Sequence, residues 1–422
     1  MLPNNTQKNI QSLYIWAPFI IIISKFYRWH FMLFQLIYMS IGWGMVDRIN
    51  EADNIWGGPG AGVLRNAEWL FYHINFFGLE TFRGWEIFFS VIYNIIFIAI
   101  IVNFYKKNPT VGKKETWFIY LNLAVLNIFC FTMSKESYQV LFWFLLAWCI
   151  THYQGYKKKV IALTIGLTFT FVFARKYYAL IALYYWVIDF YVNRFLSDID
   201  TSTSKGRKRL MWNIVSLFAV FAVFHFFFMG FMAEASEDQY NEMVRVNTRE
   251  TGEADSEITP IFKGNRVALT LDYFIKIFRL MIPVELLAKP KPSYLITIAY
   301  QSLLALFMYR AYKTRNKASI EDLEEEVEEE KDEILEIKEE ETQEEIVEVE
   351  DESEKDDKDI LEVEDEEEDS NFIPETRDRI DTRTVALYTY VAFLLCSAMF
   401  EPDFGSWLRH QCVALPIIIY ML

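Results

Sequence analysis

The chain has 422 residues, 53% of them hydrophobic, 17% aromatic and 23% charged, with a formal net charge of −16. Residues 321–370 hold 31 Asp and Glu against 4 Lys (net −27), whereas the other residues hold 37 Lys and Arg against 26 Asp and Glu (net +11). A basic, apolar body around one acidic tract excludes a single soluble globular domain, and it excludes a nucleic-acid binder, whose basic charge would gather on one open face.

The N-terminus does not read as a cleavable signal peptide. Met1–Lys8 carries little positive charge, and Lys25-Phe26-Tyr27-Arg28 follows Phe19–Ser24 where a small-residue cleavage site would stand. Ser12–Ile23 is an apolar dozen, readable as an extra span or as an interfacial helix. Apolar stretches ended by Tyr, Trp, Lys or Arg then recur, as membrane spans do at the interfaces. They are Phe31–Met45, Trp85–Phe104, Trp117–Thr132, Tyr138–Tyr153, Val160–Ala174, Tyr177–Asn193, Leu210–Met232, Pro292–Tyr309, Thr384–Met399 and Gln411–Leu422. Leu269–Leu287 contains Asp272, Lys276, Arg279 and Pro283 and reads as re-entrant or interfacial. The expected fold is an all-α polytopic membrane protein of about ten transmembrane helices, with about nine and twelve as bounds.

Loops Tyr105–Thr116, Gln154–Lys159, Arg194–Arg209 and Arg310–Lys317 are rich in Lys and Arg, and they alternate consistently, so they are expected on the cytoplasmic side. Parity places residues 46–84, Met133–Tyr138, Ala174–Tyr177, the long loop 233–268 and Glu401–His410 outside. The chain divides into membrane helices over 1–309, an acidic cytoplasmic insertion over 310–383 and C-terminal membrane helices over 384–422. In the insertion, Ile320, Leu323, Val327, Ile334 and Ile337 recur at mostly helical steps, as in an amphipathic helix or weak coiled coil. From Glu341 the pattern fails and disorder is expected. The tract reads as a solvated insertion, or as a docking arm for a basic partner. Cys130, Cys149, Cys396 and Cys412 lie in apolar segments without CxxC spacing and read as buried thiols. No GxGxxG, P-loop, HExxH or strand-borne GxSxG motif is visible, and His30, His73, His152 and His225 form no metal constellation. No metal or other cofactor is called for.

Three short outer turns each hold a cation against the topology rule. They contain Ser134-Lys135-Glu136, Arg175-Lys176-Tyr177-Tyr178 and Glu401-Pro402-Asp403-Phe404-Gly405-Ser406-Trp407-Leu408-Arg409-His410. Cations at outer helix ends either snorkel to the interface or meet an anionic partner, and three on one face point to a phosphate-bearing lipid head. Arginine suits that ligand through its bidentate fork. Glu136, Glu401, Asp403 and His410 supply proton acceptors to the same face, and the neighbouring Arg409 charge is expected to favour a neutral imidazole.

These turns resemble those of bacterial polysaccharide repeat-unit polymerases of the Wzy, or O-antigen-polymerase-like, type found in capsule and exopolysaccharide clusters. The segment Arg279-Leu280-Met281-Ile282-Pro283-Val284-Glu285-Leu286 is similar to that family's stretch after its large outer loop. The acidic tract departs from the family pattern. The resemblance implies a multi-pass protein of the bacterial cytoplasmic membrane that works by glycosyl transfer at the outer leaflet. Its substrate would be an undecaprenyl-diphosphate-linked oligosaccharide, and its partners membrane lipids and other polysaccharide-assembly proteins. Arg175 and Arg409 would then meet the diphosphate, with Lys135 and Arg279 behind them and Tyr178 and Glu401 beside the glycan. His410 would be the base, followed by Glu136 or Asp403. The loop 233–268 would cover bound sugar. The other expectations are a flippase for the same lipid-linked sugar and a non-catalytic membrane component of the assembly machine.

Overall fold

A computed structural model describes residues 3–28, 78–79, 82–131, 135–173, 178–196, 199, 203–235, 258, 261–262, 266–288, 291, 294–313, 372–399, 401 and 404–422. Every regular element among them is helical. In chain order these are α1 (Asn4–Tyr27), α2 (Phe82–Lys107), α3 (Lys113–Phe129), α4 (Lys135–His152), α5 (Tyr156–Phe173) and α6 (Tyr178–Phe195). They continue with α7 (Ser204–Ala235), α8 (Arg266–Met281), α9 (294–313), α10 (Phe372–Ala398), α11 (Phe404–Cys412) and α12 (Leu415–Ile418). The expected span Phe31–Met45 and nearly all of the acidic tract's surroundings, residues 314–371, lie outside the described residues.

Three segments, Asn4–Tyr27, Glu86–Lys107 and Ser204–Phe228, are long and apolar enough to cross a membrane by length and composition. The first settles the length of the N-terminal dozen: Ser12–Ile23 is the middle of a continuous 24-residue helix that contains Pro18. Helices α3 to α6 occupy other expected spans at 17 or 18 residues each, close to the lower length limit for a span. Within residues 310–383, α9 runs to residue 313 and α10 starts at Phe372. Charges in Glu375-Thr376-Arg377-Asp378-Arg379 hid that start from hydropathy, yet Asp378 is held there by Lys159 at 3.0 Å. The last expected span is not one helix. The chain breaks after Cys412 and continues as short α12 and a 3-10 turn, Ile419–Met421, with residues 411–421 buried.

Outward faces are apolar. On α5, Ile161, Ile165, Phe169 and Val172 are exposed, and on α7 so are Trp212, Val215, Val223 and Phe227. Helix α8 is amphipathic in the reverse of the aqueous sense. Asp272, Lys276 and Arg279 face the bundle, while Val267, Leu271 and Phe278 are more than half or half exposed. Such an arrangement would be unfavourable in water but suits an apolar surrounding, where charges turn inward.

Helix α10 is the centre, packed against α4, α5, α6, α8 and α12. Its stretch Thr384–Met399 is apolar on nearly every side, as expected for a helix enclosed by neighbours. Interhelical hydrogen bonds add direction to an otherwise apolar core. Asn94 and Asn127 exchange amide bonds at 2.8 Å, the Tyr300 hydroxyl donates to Asn122 at 3.2 Å, and Gln301 donates to Gln411 at 2.6 Å.

One end of α10 is fastened by Lys159. Its ammonium is fully buried and pairs with Asp378 while donating to the carbonyls of Ile150 and Tyr153 at 2.9 and 2.7 Å. Lys159→Met leaves those acceptors without their donor and is expected to cost about 3 kcal/mol of stability in thermal unfolding of the detergent-solubilised protein. The exposed neighbour change Lys158→Met is expected to shift it by no more than about 0.5 kcal/mol. Nearby Asp381 has its carboxyl pushed up to about 6 by burial, against the pull of Lys159 and Arg377. Because the native state favours the neutral form, the charged carboxyl costs stability above that pH and the cost fades as pH drops through it. Asp381→Asn is therefore expected to raise the melting temperature at pH 8, with a gain that shrinks toward pH 4.

Candidate functional site

Four of the expected site residues, Glu136, Glu401, Arg409 and His410, lie close together. The start of α4 approaches α11 at one end of the bundle, where Arg409 Nε lies 3.1 Å from Glu136 Oε1. This is an ion pair off hydrogen-bond alignment. The His410 ring stands between two carboxylates, with Nδ1 at 2.5 Å from Glu401 Oε1 and Nε2 at 3.6 Å from Glu136 Oε1. Glu136 and Glu401 are both buried, whereas the Arg409 side chain keeps 34% of its exposure.

Helix ends explain why these charges are tolerated. Glu136 lies in the first turn of α4, where the helix dipole is positive. Arg409 and His410 lie in the last turn of α11, where it is negative. Arg409 thus turns toward Glu136, and the groups against the imidazole are acidic. The sequence neighbour alone had suggested a cationic surrounding for the ring.

The same end holds a second layer of charge that sequence reading missed. Lys25 Nζ donates to the carbonyl of Phe131, and Arg28 Nη1 donates to that of Ile128. Both cations therefore meet carbonyls at the C-terminal end of α3, the negative end of its dipole. Arg28 Nε also pairs with Glu86 at 3.0 Å, and both side chains are buried. A signal was present: Lys25 and Arg28 are spaced to share a helix face at the end of an apolar run, and Glu86 is a carboxylate inside one. Phe131 and Glu136 lie five residues apart, and the Glu136 carboxylate adds its charge to the surroundings of Arg28.

The remaining expected residues divide. Tyr178 is fully buried, and its hydroxyl accepts a hydrogen bond from Trp143 Nε1 at 2.6 Å. Arg279 pairs with Glu285 in the 3-10 turn Val284–Ala288. Lys135 begins α4, but its side chain is outside the described residues, as are Arg175, Asp403 and most of the loop 233–268. Among the described residues no group of three or more His, Cys, Asp or Glu has the arrangement to hold a metal ion.

Chemically, Glu401 orients the imidazole through Nδ1, in the manner of a carboxylate that positions a general base. Arg409 brings a half-sheltered cation to the same place, suited to an anionic oxygen. The Arg28–Glu86 pair gives a check on the supporting layer. Glu86→Leu is expected to cost about 3–5 kcal/mol in thermal unfolding by leaving Arg28 buried and uncompensated. The double change Arg28→Met with Glu86→Leu is expected to regain most of it; a double variant as unstable as Glu86→Leu would contradict the pairing. No family model matches this chain, and neither a curated protein nor a solved structure does.

Proposed function

We propose that this chain is a membrane glycosyltransferase that joins undecaprenyl-diphosphate-linked oligosaccharide repeat units into a capsular, exopolysaccharide or O-antigen-type polymer. In this reading about ten helices cross the bacterial cytoplasmic membrane, and the cluster around Glu136 faces the outer leaflet. The observation that carries the proposal is the Glu401–His410–Glu136–Arg409 constellation. It joins two of the turns that resemble the polymerase family and combines an oriented base with a cation.

The acceptor hydroxyl attacks the anomeric carbon of the lipid-linked donor, and the bond from that carbon to the diphosphate oxygen breaks. The lipid diphosphate leaves with the bonding electrons. His410 takes the hydroxyl proton while Glu401 holds its ring, and Arg409 offsets the charge that develops on the departing diphosphate. Glu136 fixes Arg409, and at Nε2 its carboxylate gives way to the acceptor hydroxyl. Arg175, Lys135 and Arg279 are assigned to the same lipid anion, and Asp403 to proton transfer, by family resemblance. Tyr178 is assigned to the glycan by family resemblance.

Arg409→Ala and His410→Ala, at normal membrane levels, are expected to leave lipid-linked glycan at one repeat unit on the outer side. Electrophoresis of the extracted glycan reads this directly. Ordinary chain lengths in both variants would remove the proposed roles, and a single unit trapped on the cytoplasmic side would indicate a flippase.

A further inference from the structure

The bundle has a second charged region at the end opposite Glu136. Helix α4 separates the two: Glu136 is in its first turn, and Gln154 follows its last. Its 18 residues make that distance about 27 Å. There a cavity of about 850 Å³ opens between the end of α2, the turn Gln154–Lys159 and the start of α10. Lys107, Lys157, Lys158, Arg377 and Arg379 line it, with Tyr156, Thr382 and Tyr420, the first two of which donate their hydroxyls to Asp189 and to the Asp378 carbonyl.

The cavity is built rather than incidental. Gly155 has φ +78°, a left-handed conformation that lets the turn reverse between α4 and α5, and its N–H donates to Asp378 Oδ1 at 3.4 Å. Buried Lys159 spends its ammonium on Asp378 and two carbonyls, and so locks this turn to α10. Lys157 and Lys158 are thereby held across from Arg377 and Arg379. Lys107 is fixed by donating to the Thr151 carbonyl at 2.7 Å.

The two acids in the lining offset only part of this charge. Asp378 is engaged by Lys159, and Asp381 supplies one carboxylate at neutral pH against the five cations. Cations outnumber acids around this volume, and that excess favours entry of an anion. The volume suits a small ligand.

We propose that this cavity binds a phosphate-bearing anion with two or more negative charges, presented either by an anionic lipid headgroup or by a soluble polyphosphate. The shared chemistry is phosphate oxygen against converging Lys and Arg. The site lies apart from the cluster at Glu136 and does not depend on the reaction proposed for it.

The test uses the full chain. Inorganic pyrophosphate is titrated in detergent and followed by thermal shift, and retention of phosphatidylglycerol and cardiolipin is measured against phosphatidylcholine by native mass spectrometry. The double variant Lys157→Ala/Lys158→Ala changes exposed side chains. Lys205→Ala/Lys208→Ala, also exposed but on α7, controls for general charge. Pyrophosphate binding at least about tenfold weaker in the first variant and unchanged in the second supports a soluble ligand. Selective loss of anionic lipid in the first variant alone supports a headgroup. Equal effects of the two double variants, or no preference of the unaltered chain for pyrophosphate or anionic lipid, would overturn the proposal.

Discussion

A charge inside an apolar bundle must meet its compensation within a few ångströms, and this constraint organises the fold. Lys25, Arg28, Glu86, Glu136, Glu401 and Arg409 sit where helix ends approach one another, so carbonyls, dipoles and opposite charges are all within reach. Removing one member leaves another stranded in a medium that cannot solvate it. The cluster therefore fixes the mutual heights of α1, α2, α3, α4 and α11 in a way that apolar packing alone does not.

Helix α10 carries this constraint to both ends of the bundle. Its first turns are tied to the α4–α5 connection by Asp378 and Lys159, and Glu401 beyond its last turn meets His410. Between these fastenings the helix is almost wholly enclosed. One central rod thus bears on two charged sites of different character. At one end every described cation has a carboxylate or carbonyl beside it, and at the other the cations outnumber the acids.

That Glu136 and Arg409 belong together was legible in the sequence, because both are charges set at the ends of apolar segments. They lie 3.1 Å apart. Less legible were Lys25 and Arg28. An apolar-run count ends where a charge begins, so it stops short of the last turn of α1, where Lys25 stands. The same bias concealed the first turns of α10, whose charges are held in place by a partner more than two hundred residues away in sequence. The surroundings of His410 were also beyond a linear reading. Arg409 adjoins it along the chain, but Glu401 and Glu136 adjoin it in space. Helix α8 shows how burial completes the pattern: its charges are evident in sequence, and only packing reveals that they face inward.

The proposed activity rests on an oriented imidazole and a guanidinium acting on the same lipid-linked substrate. The most direct measurement is to supply the purified protein, in a lipid nanodisc, with a synthetic undecaprenyl-diphosphate-linked repeat unit and to resolve the products by mass. The account predicts a ladder of glycans spaced by one repeat unit, with lipid diphosphate released at each step, and loss of the ladder in His410→Gln. Glycan that stays at one unit with the unaltered, folded protein would contradict it, as would an undiminished ladder in His410→Gln.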